Sequence, residues 1–288
     1  MTRRRLLYTS LAACGLIAAV TGVSLGQPPW FRGGRTPGVM PADRAGVPDW
    51  KIDPAFRSDV FTFVRLEYDS YGRGGGRGRG WGRGGGWATD WPDSDLNLSF
   101  RLQQLTSLKV NPDPITLRVT DPKVFNYPFL YMIEPGALSF SEEEVVALRK
   151  YLFNGGFLMV DDFWGDWQWD NFYTQIKRVF PDQEPQELPL DHPIFNIVYR
   201  LKERPQVPSI HTWAYSGETY ENHGPGSEQV HYRALYDDKG RMVVLACHNT
   251  DLGDGWEREG EDPSYFKEFS EKKSYPMGIN IITYAMTH

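Results

Sequence analysis

The run Phe61-Thr62-Phe63-Val64-Arg65-Leu66-Glu67-Tyr68 mixes aromatic and β-branched residues and predicts the first strand of a domain. Leu96, Leu98, Leu102 and Leu105 then recur at roughly helical spacing behind the capping oxygens of Asp93, Ser94 and Asp95, predicting a helix over about 94–106. Residues 115–119 and 129–133 are short apolar runs bounded by Pro and Asp, and read as strands. Ser141-Glu142-Glu143-Glu144 is a capping box, and the helix it opens carries Val145, Leu148 and Leu152 on one side and stops at Asn154-Gly155-Gly156. Residues 157–160 form a buried strand that delivers Asp161 and Asp162 to its carboxyl end. A helix over about 170–179 stops at Pro181, and 184–208 is proline-rich and irregular. Residues 229–236 and 241–247 flank Asp237-Asp238-Lys239-Gly240, the signature of a hairpin, and 276–286 closes the chain as a helix. Strands alternating with helices predict an α/β domain with a mainly parallel sheet covered on both faces.

The ends of the chain read differently. Arg3, Arg4 and Arg5 precede an uncharged apolar run over 6–26, which reads as a signal peptide or as an N-terminal membrane anchor; Thr2-Arg3-Arg4-Arg5-Leu6-Leu7 also resembles the twin-arginine export motif. Each reading implies export, to the periplasm or the cell envelope. Residues 27–58 are rich in Pro, Gly and Arg and read as a linker without a core. The domain is then 59–288. It is interrupted at 72–86 by ten Gly, four Arg and one Trp, which read as an insertion or as an arginine-glycine box for RNA.

Composition narrows the function. The 288 residues carry a net charge of -6, and since the first 26 hold three Arg and no acid, the remainder carries -9. That balance argues against a nucleic-acid surface. Of the two cysteines, Cys14 lies in the export segment, so an exported form has only Cys247 and no internal disulfide. In an open α/β sheet ligands bind beyond the carboxyl ends of the strands. Those ends deliver Glu67, Tyr68 and Asp69, then Glu134, then Asp161 and Asp162, then His248, Asn249 and Asp251. Paired carboxylates with a histidine can divide acid and base roles or hold a divalent metal, although the spacing matches no metal motif. Asp161 and Asp162 leave the strand in opposite directions, so one of them is expected to have a structural role. His192, between Asp191 and Pro193, can fix a turn; Trp164, Trp167 and Trp169 can stack on a sugar or pack a helix. Cys247 continues an apolar strand and points into the core, and there is neither a phosphate-binding glycine loop nor a Gly-x-Ser-x-Gly elbow.

The chain resembles the domain-of-unknown-function family 4159 (DUF4159) over about 59–286. The resemblance rests on 61–68, Pro128-Phe129-Leu130-Tyr131-Met132, Leu148-Arg149-Lys150-Tyr151-Leu152 with Gly155-Gly156-Phe157-Leu158, Asp161-Asp162, Asp191-His192-Pro193-Ile194-Phe195, and Gly278-Ile279-Asn280 through Tyr284. The Gly/Arg stretch departs from the family pattern. The family is similar to a branch of the class I glutamine amidotransferase-like fold, which implies flavodoxin-like, three-layer architecture. In that fold a nucleophilic Cys follows the strand that here ends in Leu158-Met159-Val160, and Asp161 or Asp162 stands in its position. His248 matches the catalytic His, while the acid expected two residues later is Thr250. A carboxylate is a poor nucleophile toward amides, so glutaminase chemistry is not expected. The resemblance leaves a degenerate pocket of Glu134, Asp161, Asp162, His192 and His248, with Trp164 and Asn249 beside it. The expected function is binding of a small ligand such as a carbohydrate, or of an envelope protein. The alternative is a hydrolase in which Asp162 and His248 act as base and acid or hold a metal. No cofactor is implied.

Overall fold

The computed structural model describes residues 37–56, 59–71 and 86–288. The export segment, the beginning of the linker and the Gly/Arg stretch at 72–85 lie outside the described residues. Strands β1 (Val64–Glu67), β2 (Ile115–Arg118), β3 (Phe129–Ile133), β4 (Phe157–Asp161), β5 (Gln186–Glu187), β6 (His231–Tyr236) and β7 (Met242–His248) form one sheet in the order β2-β1-β3-β4-β7-β6-β5. The first five strands of that order run parallel, and β6 is antiparallel to both β7 and β5. The helices are α1 (Asp93–Leu105), α2 (Glu142–Phe153), α3 (Gly165–Val179), α4 (Ile210–Ser216) and α5 (Leu252–Glu257). After them come α6 (Pro263–Tyr265), a π-helical run Phe266–Ser274 and α7 (Tyr275–Thr287). Among the described residues no helix is long and apolar enough to cross a membrane.

The period of two along each strand sorts the side chains into two cores. Phe129, Tyr131, Phe157, Met159, Leu245 and Cys247 pack with Leu98 and Leu102 of α1, Trp256 of α5 and Ile279 and Ile282 of α7. Leu130, Met132, Leu158, Val160, Val244 and Ala246 pack on the other face with Leu148 and Leu152 of α2 and Phe172 and Ile176 of α3. The sheet is therefore buried on both faces, which explains why its parallel strands read as continuous apolar runs.

The capping box at Ser141 forms as its sequence predicts: Ser141 N–H donates to Glu144 Oε2 at 2.9 Å, and Glu144 N–H donates to Ser141 Oγ at 3.2 Å. Ser141→Ala removes one of these two bonds and is expected to destabilise the domain by about 1 kcal/mol, read as a lower urea midpoint at unchanged m.

The sequence reading has no counterpart of β5, α4 or α5, and three further parts of the chain differ from it. Helix α3 begins at Gly165, five residues earlier than expected, because its first N–H groups find acceptors outside the helix, as described below. The closing helix is preceded by helical residues from Pro263 onward. The last part of the linker packs on the domain. Val47 is 5% exposed, Trp50 Nε1 donates to the Val110 carbonyl at 2.7 Å, and Arg44 pairs with Asp113. Apolar side chains inside a Pro/Gly-rich stretch outweigh its loop composition once a groove is there to receive them.

Candidate functional site

The carboxyl ends of β3, β4 and β7 open into a cavity of about 330 Å³. Its walls hold six carboxylates, from Asp90, Glu134, Asp162, Glu221, Asp251 and Asp254, together with His211, His223, Arg258 and Trp164. Three of the six stand in the left-handed backbone region: Asp90 (φ 61°), Glu134 (φ 51°) and Asp162 (φ 54°). Such a conformation costs about 1 kcal/mol at a residue with a Cβ, and strain of this kind concentrates at functional sites.

Each strained turn has a visible support. Glu134 follows β3 immediately, and the Tyr68 hydroxyl lies 2.6 Å from the carbonyl oxygens of both Ile133 and Glu134. Tyr68 thereby fills the crevice at the end of β1, where the order of strands reverses. Its neighbours from the same strand end are spent elsewhere, Glu67 on Thr116 and Asp69 on Arg118. Asp162 follows β4. Its N–H donates to the Thr250 carbonyl at 3.1 Å, and its Oδ1 accepts from Trp164 Nε1 at 2.9 Å. Asp90 leaves a loop anchored by Arg65, a fully buried side chain in β1 that pairs with Asp95 and donates to the carbonyls of Trp87 and Thr89.

Asp161 and Asp162 separate as the strand period requires. Asp161 is fully buried on the α1 side, where its Oδ2 accepts from Gly253 N–H at 3.0 Å and from the Tyr131 hydroxyl at 3.1 Å. A Cβ on Gly253 would lie 2.7 Å from that hydroxyl and 3.1 Å from Asp90 Oδ2, so only glycine lets β4, β3 and the Asp90 loop close around this point. Asp162 lines the cavity, at the elbow between β4 and α3.

Of the other expected site residues, His248, His192 and Asn249 lie outside the cavity and Trp164 is on its wall. His248 shares the α3 side of the sheet with Val244 and Ala246, packed at a tilt against Phe163 and Trp169 with ring centroids 4.9 and 5.3 Å away. Its Nε2 lies 3.1 Å from the Gly165 carbonyl and its Nδ1 3.2 Å from Arg233, so both ring nitrogens are engaged. Burial, and after it the Arg233 charge, push its pKa down to about 3, which keeps the ring neutral. His192 caps the turn at Pro193–Phe195, its Nδ1 accepting from Ile194 N–H at 3.2 Å. Asn249 is fully buried and stitches three segments together: Oδ1 accepts from Gly165 N–H at 2.8 Å, and Nδ2 donates to the carbonyls of Gly226 at 2.6 Å and Gln229 at 2.7 Å. Trp164 is 1% exposed and spends its indole N–H on Asp162, so it buttresses the elbow and offers no open stacking face.

The residues that complete the cavity come from segments without periodic signal. Glu221 accepts from Ser209 N–H at 2.7 Å and faces His223 Nε2 at 3.4 Å. Burial works to raise its pKa, and these two partners hold it below the ordinary range. Asp251 caps α5, and Asp254 accepts from Ile210 N–H at 2.6 Å. Burial and the neighbouring carboxylates push Asp90, Asp162 and Asp251 well above the ordinary carboxylate range. Only the Asp251-x-x-Asp254 spacing behind β7 could have pointed to this wall from sequence.

The hydrogen-bonding character of the site limits its chemistry. Four N–H groups at the elbow are taken: Asp162 by Thr250 O, Trp164 by Gln168 Oε1, Gly165 by Asn249 Oδ1 and Asp166 by Pro225 O. None of these four can stabilise an oxyanion. Arg258, the one guanidinium on the wall, is paired with Asp254 at 3.2 Å, Glu257 at 2.6 Å and Glu261 at 3.4 Å. The cavity thus crowds carboxyl groups together, and an incoming positive charge would favour their ionised forms.

The family model described as a domain of unknown function, DUF4159, matches residues 62–286. No curated protein matches the chain.

Proposed function

We propose, from the premise that the chain belongs to the DUF4159 family, that it is a non-catalytic ligand-binding domain whose cavity takes a small cationic ligand. The observation that carries this reading is the cavity wall: six carboxylates face one guanidinium that is already paired, and four of the elbow's N–H donors are consumed. A ligand that enters must bring hydrogen-bond donors and positive charge of its own.

The order β2-β1-β3-β4-β7 of the parallel strands and the strained elbow at Asp162 support a flavodoxin-like, amidotransferase-like ancestry, with Asp162 standing where that fold keeps its nucleophile. The alternative of a hydrolase driven by Asp162 and His248 is less well supported, because the imidazole is held from both sides on the α3 face. The basic and apolar first 26 residues support export, so we assign the binding function to the cell envelope.

The test is a thermal-shift series on the purified protein with 1,4-diaminobutane, arginine methyl ester and glucose. The cations are expected to raise the melting temperature, and Asp162→Asn is expected to reduce that rise at least several-fold. Stabilisation by glucose with no response to either cation would overturn the assignment.

A further inference from the structure

We infer that the junction of the Asp90 loop with α5, at the edge of the cavity, is a site for a divalent cation of the calcium type, held by the carboxylates of Asp90, Asp254 and Glu257. This inference rests on the cationic-ligand reading and names one ligand of the same cavity.

One oxygen from each of the three side chains lies within 4.8 Å of the other two. Three carboxylates supplied by the protein suit calcium, whereas magnesium dehydrates reluctantly, keeps several waters and is usually held by one or two carboxylates. The donor set is all oxygen, which suits a hard cation and gives a softer metal no thiolate or imidazole. Asp254 and Glu257 are 3% and 7% exposed, so these are not the solvated surface acids that cluster without consequence. A second observation points to a missing partner. Asp90 Oδ2 is shut off from solvent and takes no hydrogen bond, and the same is true of the neighbouring Thr89 Oγ1. An orphaned buried carboxylate oxygen is costly, and a cation between Asp90 and α5 would satisfy it.

The surroundings hold this geometry independently of any ion. Asp254 is tied to Ile210 N–H, and Asn97 of α1 donates to the carbonyl of Trp256 at 2.8 Å, which fixes the turn that presents Glu257. Arg65 and Asp95 fix the loop that presents Asp90. Arg258 neutralises part of the charge on Asp254 and Glu257 from one side.

The experiment is a titration of the chelator-treated protein with Ca²⁺ by calorimetry, repeated with Mg²⁺ and with Tb³⁺ luminescence as a second readout. The expected result is one Ca²⁺ per chain with Kd at or below about 1 mM, Mg²⁺ at least tenfold weaker, and at least a tenfold loss of Ca²⁺ affinity in Glu257→Gln and in Asp90→Asn. Glu143→Gln, at the exposed start of α2, is expected to bind as the unaltered protein does. Absence of saturable uptake overturns the inference, and so does uptake that both site variants leave unchanged. If the variants fail to fold, anomalous scattering from Tb³⁺ in crystals of the unaltered protein decides, by whether the ion lies on Asp90 and Glu257 or elsewhere. Failure here with an intact, Asp162-dependent response to 1,4-diaminobutane removes the metal site alone; failure of both removes the cationic-ligand reading as well.

Discussion

Arg65→Ala is expected to lower the stability of the domain by about 3–5 kcal/mol, the cost of leaving a buried charge without its partner. Arg65 and Asp95 are both fully buried, joined through Nε to Oδ1 at 3.0 Å and again through Nη2. The same guanidinium donates to Ser94 Oγ at 2.8 Å and to the Trp87 carbonyl at 3.1 Å, and lies 5.1 Å from the centre of the Tyr131 ring. Truncation strands an anion and two carbonyls together. The paired replacement Arg65→Met with Asp95→Leu is expected to recover much of the loss, because it removes the charge that the single variant abandons. Denaturant midpoints of the two proteins, compared at equal m, measure this, and a loss below about 1 kcal/mol in Arg65→Ala would contradict it. The single variant is also expected to lose response to cationic probes, since the Thr89 carbonyl that Arg65 holds is the step before Asp90.

Arg65 also shows how far a sequence can be read. Its position inside Phe63-Val64-Arg65-Leu66 was itself a signal, because a charge in a buried strand demands a partner. Which of 37 acids would supply that partner is a long-range fact that no local pattern carries. Where local physics suffices, the reading was close: the capping box of α2, β3 at Phe129–Ile133 and the β6–β7 hairpin all follow from capping, periodicity and turn chemistry. The strand period also foretold that Asp161 and Asp162 would part. It could not say which would face the cavity, because that depends on the left-handed turn at Asp162. The resemblance paired Asp162 with His248, and continuing the Val160–Ala246 register would bring the two level. The turn ends the strand at Asp161, and the two side chains go to different environments. Asp90, Glu221 and His223 arrive on loops whose course is fixed by contacts far away in sequence, and so they carried no signal.

The second large effect concerns Asp161 and pH. Burial pushes its carboxyl up to about 7, even though Gly253 N–H and the Tyr131 hydroxyl favour its charged form. In the unfolded chain the group titrates near 3.9. Below about pH 4 it is protonated in both states and contributes nothing. Between about pH 4 and pH 7 the folded state binds more protons than the unfolded one, so stability falls as pH rises through that window, by up to about 4 kcal/mol. Asp90, Asp162 and Asp251 are shifted in the same direction and add to the same slope. His248 acts with the opposite sign. Its folded pKa of about 3 means that stability is lost as pH falls from about 6.5, where the unfolded imidazole begins to take up a proton. Asp161→Asn keeps an acceptor for Gly253 and Tyr131 but cannot ionise. It is therefore expected to match the unaltered protein near pH 4 and to exceed it by as much as about 4 kcal/mol at pH 8, measured by urea unfolding across that range. A difference that does not grow with pH would mean that the Asp161 carboxyl ionises in the folded protein as easily as in water. A cation bound on Asp90 favours ionised carboxylates, so saturating Ca²⁺ is expected to flatten the slope that comes from Asp90 and from the nearby Asp161.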